Sequence, residues 1–128
     1  MSERNFRLIW SKKWWDFRKF EQQIILNPES RMIAQSLGRG KLKPENYPKE
    51  GDKFIVEYSG KIVARGIVRS NVFVDETLRS FEHSCNIGTS PHATETRNNI
   101  IEILEIYNEA DRVPAVCRGQ RTWVKINN

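Results

Sequence analysis

The sequence predicts one α+β domain, residues 1–128, in which a curved mixed or antiparallel β-sheet curls into a small barrel with one or two N-terminal helices. Three observations support this class. The apolar spacing changes from strand-like to helical, and then back to strand-like for most of the remaining chain. A chain of 128 residues can bury one core. No internal repeat, low-complexity tract or interdomain linker divides the chain, which indicates a single domain. A sheet of several short strands commonly curls into a barrel and thereby buries one of its faces.

The first predicted elements are a strand and one or two helices. Apolar side chains at every second position indicate a strand over Asn5–Trp10. The spacing is then helical over residues 13–26. The side chains on or near the expected apolar stripe are Trp14, Trp15, Phe17, Phe20, Ile24 and Ile25. Because proline disfavours helical geometry in the preceding residue, Pro28 ends this helix; it can open a second one to Leu37, with Asn27 as N-cap.

The rest of the chain is predicted to be mainly β-strand. Residues 39–49 form a loop, and residues 52–59 and 61–70 form a hairpin about Ser59-Gly60. A further short strand is expected over 71–75, and a mobile loop over about 86–96, where Gly, Ser, Pro and Thr are concentrated. Residues 100–107 fit neither period cleanly, but their β-branched content favours a buried strand. Residues 121–126 are expected to be the last strand.

The charge balance favours polyanionic partners. Lys and Arg number 21 against 16 Asp and Glu, which gives a net charge of +5. Hydrophobic residues make up 38% and charged residues 29%, a composition typical of a soluble globular domain and unlike that of a disordered chain.

The start of the chain and its cysteines bear on location and cofactors. The apolar run Leu8-Ile9-Trp10 is too short for a signal peptide, and no stretch approaches the ~20 apolar residues of a membrane span. We therefore expect an intracellular protein, in cytoplasm, nucleus or nucleoid, with reduced thiols and no membrane partner. A disulfide between Cys85 and Cys117 remains the alternative to reduced thiols. Histidines and cysteines lack the repeated close spacing of zinc ligands, so no metal or cofactor is predicted. These residues are His83, Cys85, His92 and Cys117.

Three segments in a characteristic order resemble the EVE domain of the PUA-like superfamily, which also includes YTH and ASCH domains. They are Leu8-Ile9-Trp10, the hairpin segment 51–68 that opens with Gly-Asp and contains Tyr58-Ser59-Gly60, and the turn Val74-Asp75-Glu76-Thr77. Together they span about half the chain. Leu37-Gly38-Arg39-Gly40 departs from the family's Gly-Val-Arg-Asn type of segment, and nothing after Ser80 aligns.

The resemblance implies a PUA-like barrel and a pocket between barrel and N-terminal helix that holds a modified or flipped base. Each base stacked on an aromatic ring gains about 1–3 kcal/mol, and cations at the mouth would hold phosphates. The expected pocket residues are Trp10, Trp14, Trp15, Tyr58 and Trp123. The expected phosphate-binding residues are Lys12, Lys13, Arg39, Lys41, Arg118 and Arg121.

Each aromatic residue also has a structural interpretation. Trp10 fits a pocket wall and a core position equally well. Trp14 and Trp15 diverge by about 100° on a helix, so one should be buried and the other partly exposed. Trp123 alternates onto the same face as Arg121 and Lys125, although core burial is the default for an indole there. Tyr58 is expected in the core with its hydroxyl hydrogen-bonded.

Three functions remain open at this point. The first is a non-catalytic reader of modified or flipped bases in DNA or RNA. The second is a small ASCH-like ribonuclease with His83 or Tyr58 as general base, which would make the protein an enzyme. The third is a protein–protein adaptor that uses exposed tryptophans, and a homodimer also stays open.

Overall fold

The computed structural model describes residues 4–38, 42–75, 85, 87, 95–115 and 122–126. In this part of the chain, one α-helix accompanies seven strands of a single sheet. The elements are β1 Asn5–Trp10, α1 Phe17–Leu26, β2 Met32–Ser36, β3 Lys53–Tyr58, β4 Lys61–Val68, β5 Phe73–Val74, β6 Arg97–Ile106 and β7 Trp123–Ile126. Short 3-10 helices occur at Pro28–Arg31, Pro44–Asn46 and Glu109–Asp111.

The sheet is mixed, with strand order β2-β6-β4-β3-β1-β7 and β5 paired to β6. β1 and β3 run parallel, and the other paired strands are antiparallel. Register shifts at Val56/Glu57 and Arg65/Gly66 mark β-bulges, which bend strands and increase their twist. The predicted class is therefore confirmed in its coarse form: one helix and a curled mixed sheet that forms a half-barrel.

The curl brings the two edge strands of the sheet close together. Trp123 of β7 donates its indole N–H to the Ser36 carbonyl oxygen of β2 at 3.2 Å. Just beyond β2, Gly38 has φ +63°, and a Cβ there would overlap the Thr122 side chain. Only glycine combines this left-handed backbone with so close an approach, so Gly38 allows the curl.

The core lies on the inner face of the curled sheet. Phe6, Leu8 and Trp10 point inward from β1, which confirms the predicted alternation. Trp123 packs edge-on against Phe6 and Phe54, with ring centroids 5.8 and 5.6 Å apart. Helix α1 adds further apolar side chains where β1 and β3 end, and these are Phe17, Phe20 and Ile24.

Helix α1 begins later than predicted. Asp16 has extended backbone angles, and its Oδ1 accepts the Lys19 backbone N–H at 3.0 Å, which is the geometry of an N-cap. The carbonyl oxygen of Ser11 accepts the backbone N–H groups of Trp14 and Trp15, so these residues form a turn. Trp15, Phe17, Phe20 and Ile24 of the predicted apolar stripe are buried. Trp14 is only half-buried, and Ile25 is 78% exposed.

The predicted second helix is wrong beyond its first turn. Asn27 does cap the 3-10 helix that Pro28 opens, and its Oδ1 accepts the Glu29 N–H at 3.2 Å. Residues 32–36 then form β2, because they pair with β6, more than sixty positions away. Local pattern does not contain that pairing, and tertiary contact overrides weak helical preference.

The remaining β elements agree with the sequence. The hairpin turns at Ser59 and Gly60, whose φ values of 52° and 78° suit a tight two-residue turn. The ambiguous segment near residue 100 is a strand, β6, and β5 and β7 lie within the short strands expected. Most of the loop predicted over 86–96 lies outside the described residues. Among those described, no helix is both long and apolar enough to span a membrane.

Candidate nucleic-acid interface

An aromatic cluster fills the space between the sheet and α1. The rings of Trp10 and Trp15 are 5.0 Å apart at an angle of 46°, and Phe20 lies 5.5 Å from each. Trp10 is 7% exposed and Trp15 is 8% exposed. A base held between two rings needs them parallel and two stacking distances apart. In this structure the two indoles contact each other instead, at the place where the resemblance implies a pocket.

Trp10 is fixed at its polar end as well. Its Nε1 donates to Gln35 Oε1 at 2.9 Å, and Gln35 Nε2 donates to the Ser36 carbonyl oxygen at 3.1 Å. Gln35 is a residue that sequence reasoning missed, because it lies on β2, where a helix was predicted. The alternation of Ile33, Gln35 and Leu37 was the available signal for an inward-facing side chain.

Trp123 and Tyr58 also pack against other residues of the protein. Of the two interpretations of Trp123, the structure gives the core position, because only 1% of the residue is exposed. Tyr58 is half-buried, its ring is 5.4 Å from Phe17, and its hydroxyl donates to the Trp15 carbonyl oxygen at 2.7 Å. The hydroxyl proton is thereby occupied, as expected for a hydrogen-bonded core tyrosine.

Trp14 differs from the other tryptophans because it is only half-buried. It sits in the turn that Ser11 holds, where the Ser11 hydroxyl also accepts the Lys13 backbone N–H at 3.2 Å. The Lys13 Nζ lies 5.0 Å from the centre of the Trp14 ring, a cation–π contact. One indole of the Trp14–Trp15 pair is thus buried and the other partly exposed, as predicted. The two residues diverge because they lie in a turn, whereas a helix was expected.

Trp14 lies in a segment that carries three exposed cations. We call the surface formed by Lys12, Lys13, Trp14 and Arg18 the basic patch. Its three cations are exposed, and none forms an ion pair with another described residue.

The arginines elsewhere on the described surface are mostly paired with carboxylates. The ion pairs are Arg4–Asp52, Arg7–Glu57, Arg65–Glu105, Arg69–Glu102, Arg97–Glu95 and Arg112–Glu21. Their charges largely cancel at short range. The three cations of the basic patch differ from these arginines because they have no ion-pair partner among the described residues.

Several predicted site residues cannot be compared with the structure. Four of the expected phosphate-binding residues lie outside the described residues, and their role stays a prediction. They are Arg39, Lys41, Arg118 and Arg121. His83, His92 and Cys117 lie there too. Cys85 is buried, with Sγ 3.4 Å from Gln23 Oε1. No group of three metal-ligand side chains occurs among the residues that the structure describes.

Comparison with known proteins adds no family. No protein-family model matches the chain, and no curated protein is significantly similar to it in sequence.

Proposed function

We propose that this domain binds nucleic acid and that the basic patch is its contact surface. The observation that carries the proposal is a half-exposed indole, Trp14, which Lys13 contacts and whose neighbouring cations form no ion pair with a described carboxylate. Every base offers a π face to an indole, and every nucleotide offers a phosphate to a lysine or arginine. The patch thus combines the two interactions that nucleic acid binding without sequence preference requires.

The Lys13–Trp14 contact suggests how binding occurs. In the free protein the Lys13 ammonium lies over the ring face that a base would take. An arriving base replaces the ammonium on the indole, and Lys13 turns to the adjacent phosphate. The exchange trades a cation–π contact of about 0.5–1 kcal/mol at an exposed site for stacking of about 1–3 kcal/mol per base.

The finer form of the proposal is an EVE-type, PUA-like reader of a modified or flipped base. Its support is the curled sheet, the hairpin over β3 and β4, and a first strand that ends at Trp10 beside further aromatic rings. In this form the base lodges at the aromatic cluster, and Trp15 must move away from Trp10 to admit it. The cost of separating the rings would favour a base whose extra group gains additional contacts.

The test is fluorescence anisotropy with labelled single-stranded DNA and RNA over a range of salt concentrations. Trp14→Ala should weaken binding by about tenfold, the value of one stacked base. Lys12→Gln, Lys13→Gln and Arg18→Gln should each lower the slope of log K against log salt by about one. Lys49→Gln, an exposed lysine away from the patch, is the matched control and should bind like the wild type.

Each alternative function gives a different result in the same titrations. Wild-type affinity in all four patch variants would overturn the assignment of the patch. The absence of salt-dependent oligonucleotide binding would favour a protein–protein adaptor, and shortening of the oligonucleotide would point to a nuclease. The proposal of a modified-base reader is tested by comparing oligonucleotides that carry methylated or hydroxymethylated bases with unmodified oligonucleotides of the same sequence. A reader binds the modified strand more tightly.

A further inference from the structure

A second concave surface lies on the opposite face of the sheet from the core. It is a groove of about 340 Å³ across β7, β1, β3, β4 and the end of β6. Strand register defines its rows. Asn5 pairs with both Ile126 and Lys53, and Lys53 pairs with Ile67. The adjacent row contains Ile55 opposite Arg65, which in turn pairs with Glu105.

The groove has an apolar body and a cationic rim. Four aliphatic side chains line it, namely Ile55, Ile67, Leu104 and Ile126. Leu104 is 37% exposed and the three isoleucines are half-buried, so the surface is apolar yet reachable from solvent. The two charged side chains that line it, Lys53 and Arg65, are both cations. Its size is at the lower end of the roughly 300–1,000 Å³ of small-molecule sites.

Arg65 is held in a way that leaves it able to bind. Its Nε donates to Glu105 Oε1 at 2.9 Å. Its two terminal amino groups donate to no other described residue. Glu105 therefore positions the guanidinium without occupying the side that matches a carboxylate with two parallel hydrogen bonds.

We propose that this groove binds a small organic carboxylate with an apolar, preferably planar, body. The body lies against the isoleucines and Leu104, and the carboxylate meets Arg65, with Lys53 and the hydroxyl of Tyr107 on the same rim. The edge of the Arg65 guanidinium that Glu105 leaves unbonded favours a carboxylate head group. The aliphatic lining favours a hydrophobic acid over a highly hydrated one such as a sugar acid.

The site is separate from the basic patch. The groove lies on the outer face of the sheet, whereas the turn that carries Trp14 leads into α1, which packs on the core side. The inference consequently does not depend on the proposed nucleic acid binding.

The experiment is an NMR titration of the labelled protein with naphthoate and, as the uncharged comparison, naphthylmethanol. The amide signals of Ile55, Arg65 and Ile67 should shift with naphthoate, and the alcohol should bind at least about tenfold more weakly. Arg65→Gln should remove most of this difference. Arg69→Gln is the matched control, because Arg69 forms the same kind of pair with Glu102 and does not line the groove.

Ile67→Glu provides a second variant, since it places a negative charge in the apolar body and should block both probes while the spectrum stays dispersed. Equal affinity for acid and alcohol would overturn the proposal. Naphthoate-induced shifts centred on Trp14, or no shifts at millimolar probe, would overturn it as well.

Discussion

Gly66 lies under the ring of its cross-strand partner Phe54, on the inner face of the sheet. A Cβ at this position would overlap the Phe54 ring and the backbone carbonyl oxygen of Glu102. The ring therefore takes the space that a side chain would need, and it shields the backbone of β4. The φ of Gly66 is not positive, so its backbone conformation does not require glycine. Glycine is required here because the neighbouring backbone and ring approach too closely for a side chain.

Gly66→Ala should accordingly lower the free energy of unfolding by about 2 kcal/mol or more, because overpacking a core forces neighbouring atoms to move. Urea denaturation measures the effect. Gly51→Ala is the control, since Gly51 has open space around it and should lose only the cost of its φ of +93°, about 1–2 kcal/mol. Equal losses in the two variants would show that the Phe54 contact is relaxed in solution.

The tryptophans show how little a residue type alone says about its role. All four lie next to polar or charged residues in the sequence, yet three are core residues and one is half-exposed. The indole N–H groups of the buried Trp10 and Trp123 donate to the Gln35 side chain and to the Ser36 carbonyl oxygen. Both acceptors come from β2, so local sequence could not reveal them.

At the scale of elements, the start of α1 decides which aromatic residue faces solvent. Had the helix begun at residue 13, as its spacing suggests, Trp14 would lie on the same stripe as Phe17. The Asp16 cap starts the helix at Phe17, four residues later, and leaves Trp14 in a turn. The basic patch therefore exists because of the cap.

Asp16→Ala should destabilise the fold by about 1 kcal/mol, the usual cost of losing an N-cap side chain. Thermal and urea unfolding report this loss. Asp111→Ala removes an exposed carboxylate that caps no helix and should change stability little. A loss in Asp111→Ala as large as that in Asp16→Ala would mean that general charge, and not the cap, is responsible.

At the scale of the whole molecule, a polar network ties the segment before β3 to β6. Arg97 at the start of β6 donates to both carboxylate oxygens of Glu95 and, through Nη1, to the Tyr47 hydroxyl at 3.0 Å. Tyr47 also packs against the core. Hydrogen bonds from the Arg97 side chain are the main reason that the pKa of Glu95 is lowered, and the same contact raises the pKa of Arg97.

This network should make stability fall in acid. A carboxyl group whose pKa is lower in the folded than in the unfolded state stabilises the fold above its unfolded pKa, about 4.3 for Glu, and loses that contribution as pH falls through the folded pKa. Glu95→Gln should therefore be less stable than the wild type at neutral pH and should lose less stability on acidification. Melting temperatures between neutral pH and pH ~3 measure this, with exposed Glu29→Gln as control. Parallel curves for wild type and Glu95→Gln would contradict it.

The charges of the molecule are divided between two arrangements. On the outer face of the sheet, arginines are paired with glutamates across neighbouring strands, so the field is short-ranged. Around Trp14 the cations have no such partners among the described residues. At the basic patch a polyanion therefore meets cations without a described ion-pair partner beside an available aromatic side chain.

Sequence alone determined the elements whose signals are local. The alternation in β1, the turn residues Ser59 and Gly60 between β3 and β4, and the β-branched run of β6 each contain the information within a few positions. The excess of basic residues needs no structure either. Alternation and turn chemistry act between neighbours along the chain, which is why these predictions agree with the fold.

Only the tertiary structure decided which surfaces are available. β2 became a strand through pairing with β6, the two sheet edges met at Gly38 and Thr122, and the space beside Trp10 was filled by Trp15 and Phe20. The outer groove likewise arises from side chains on five separate strands. Each of these depends on contacts between residues distant in sequence, and no local pattern records them.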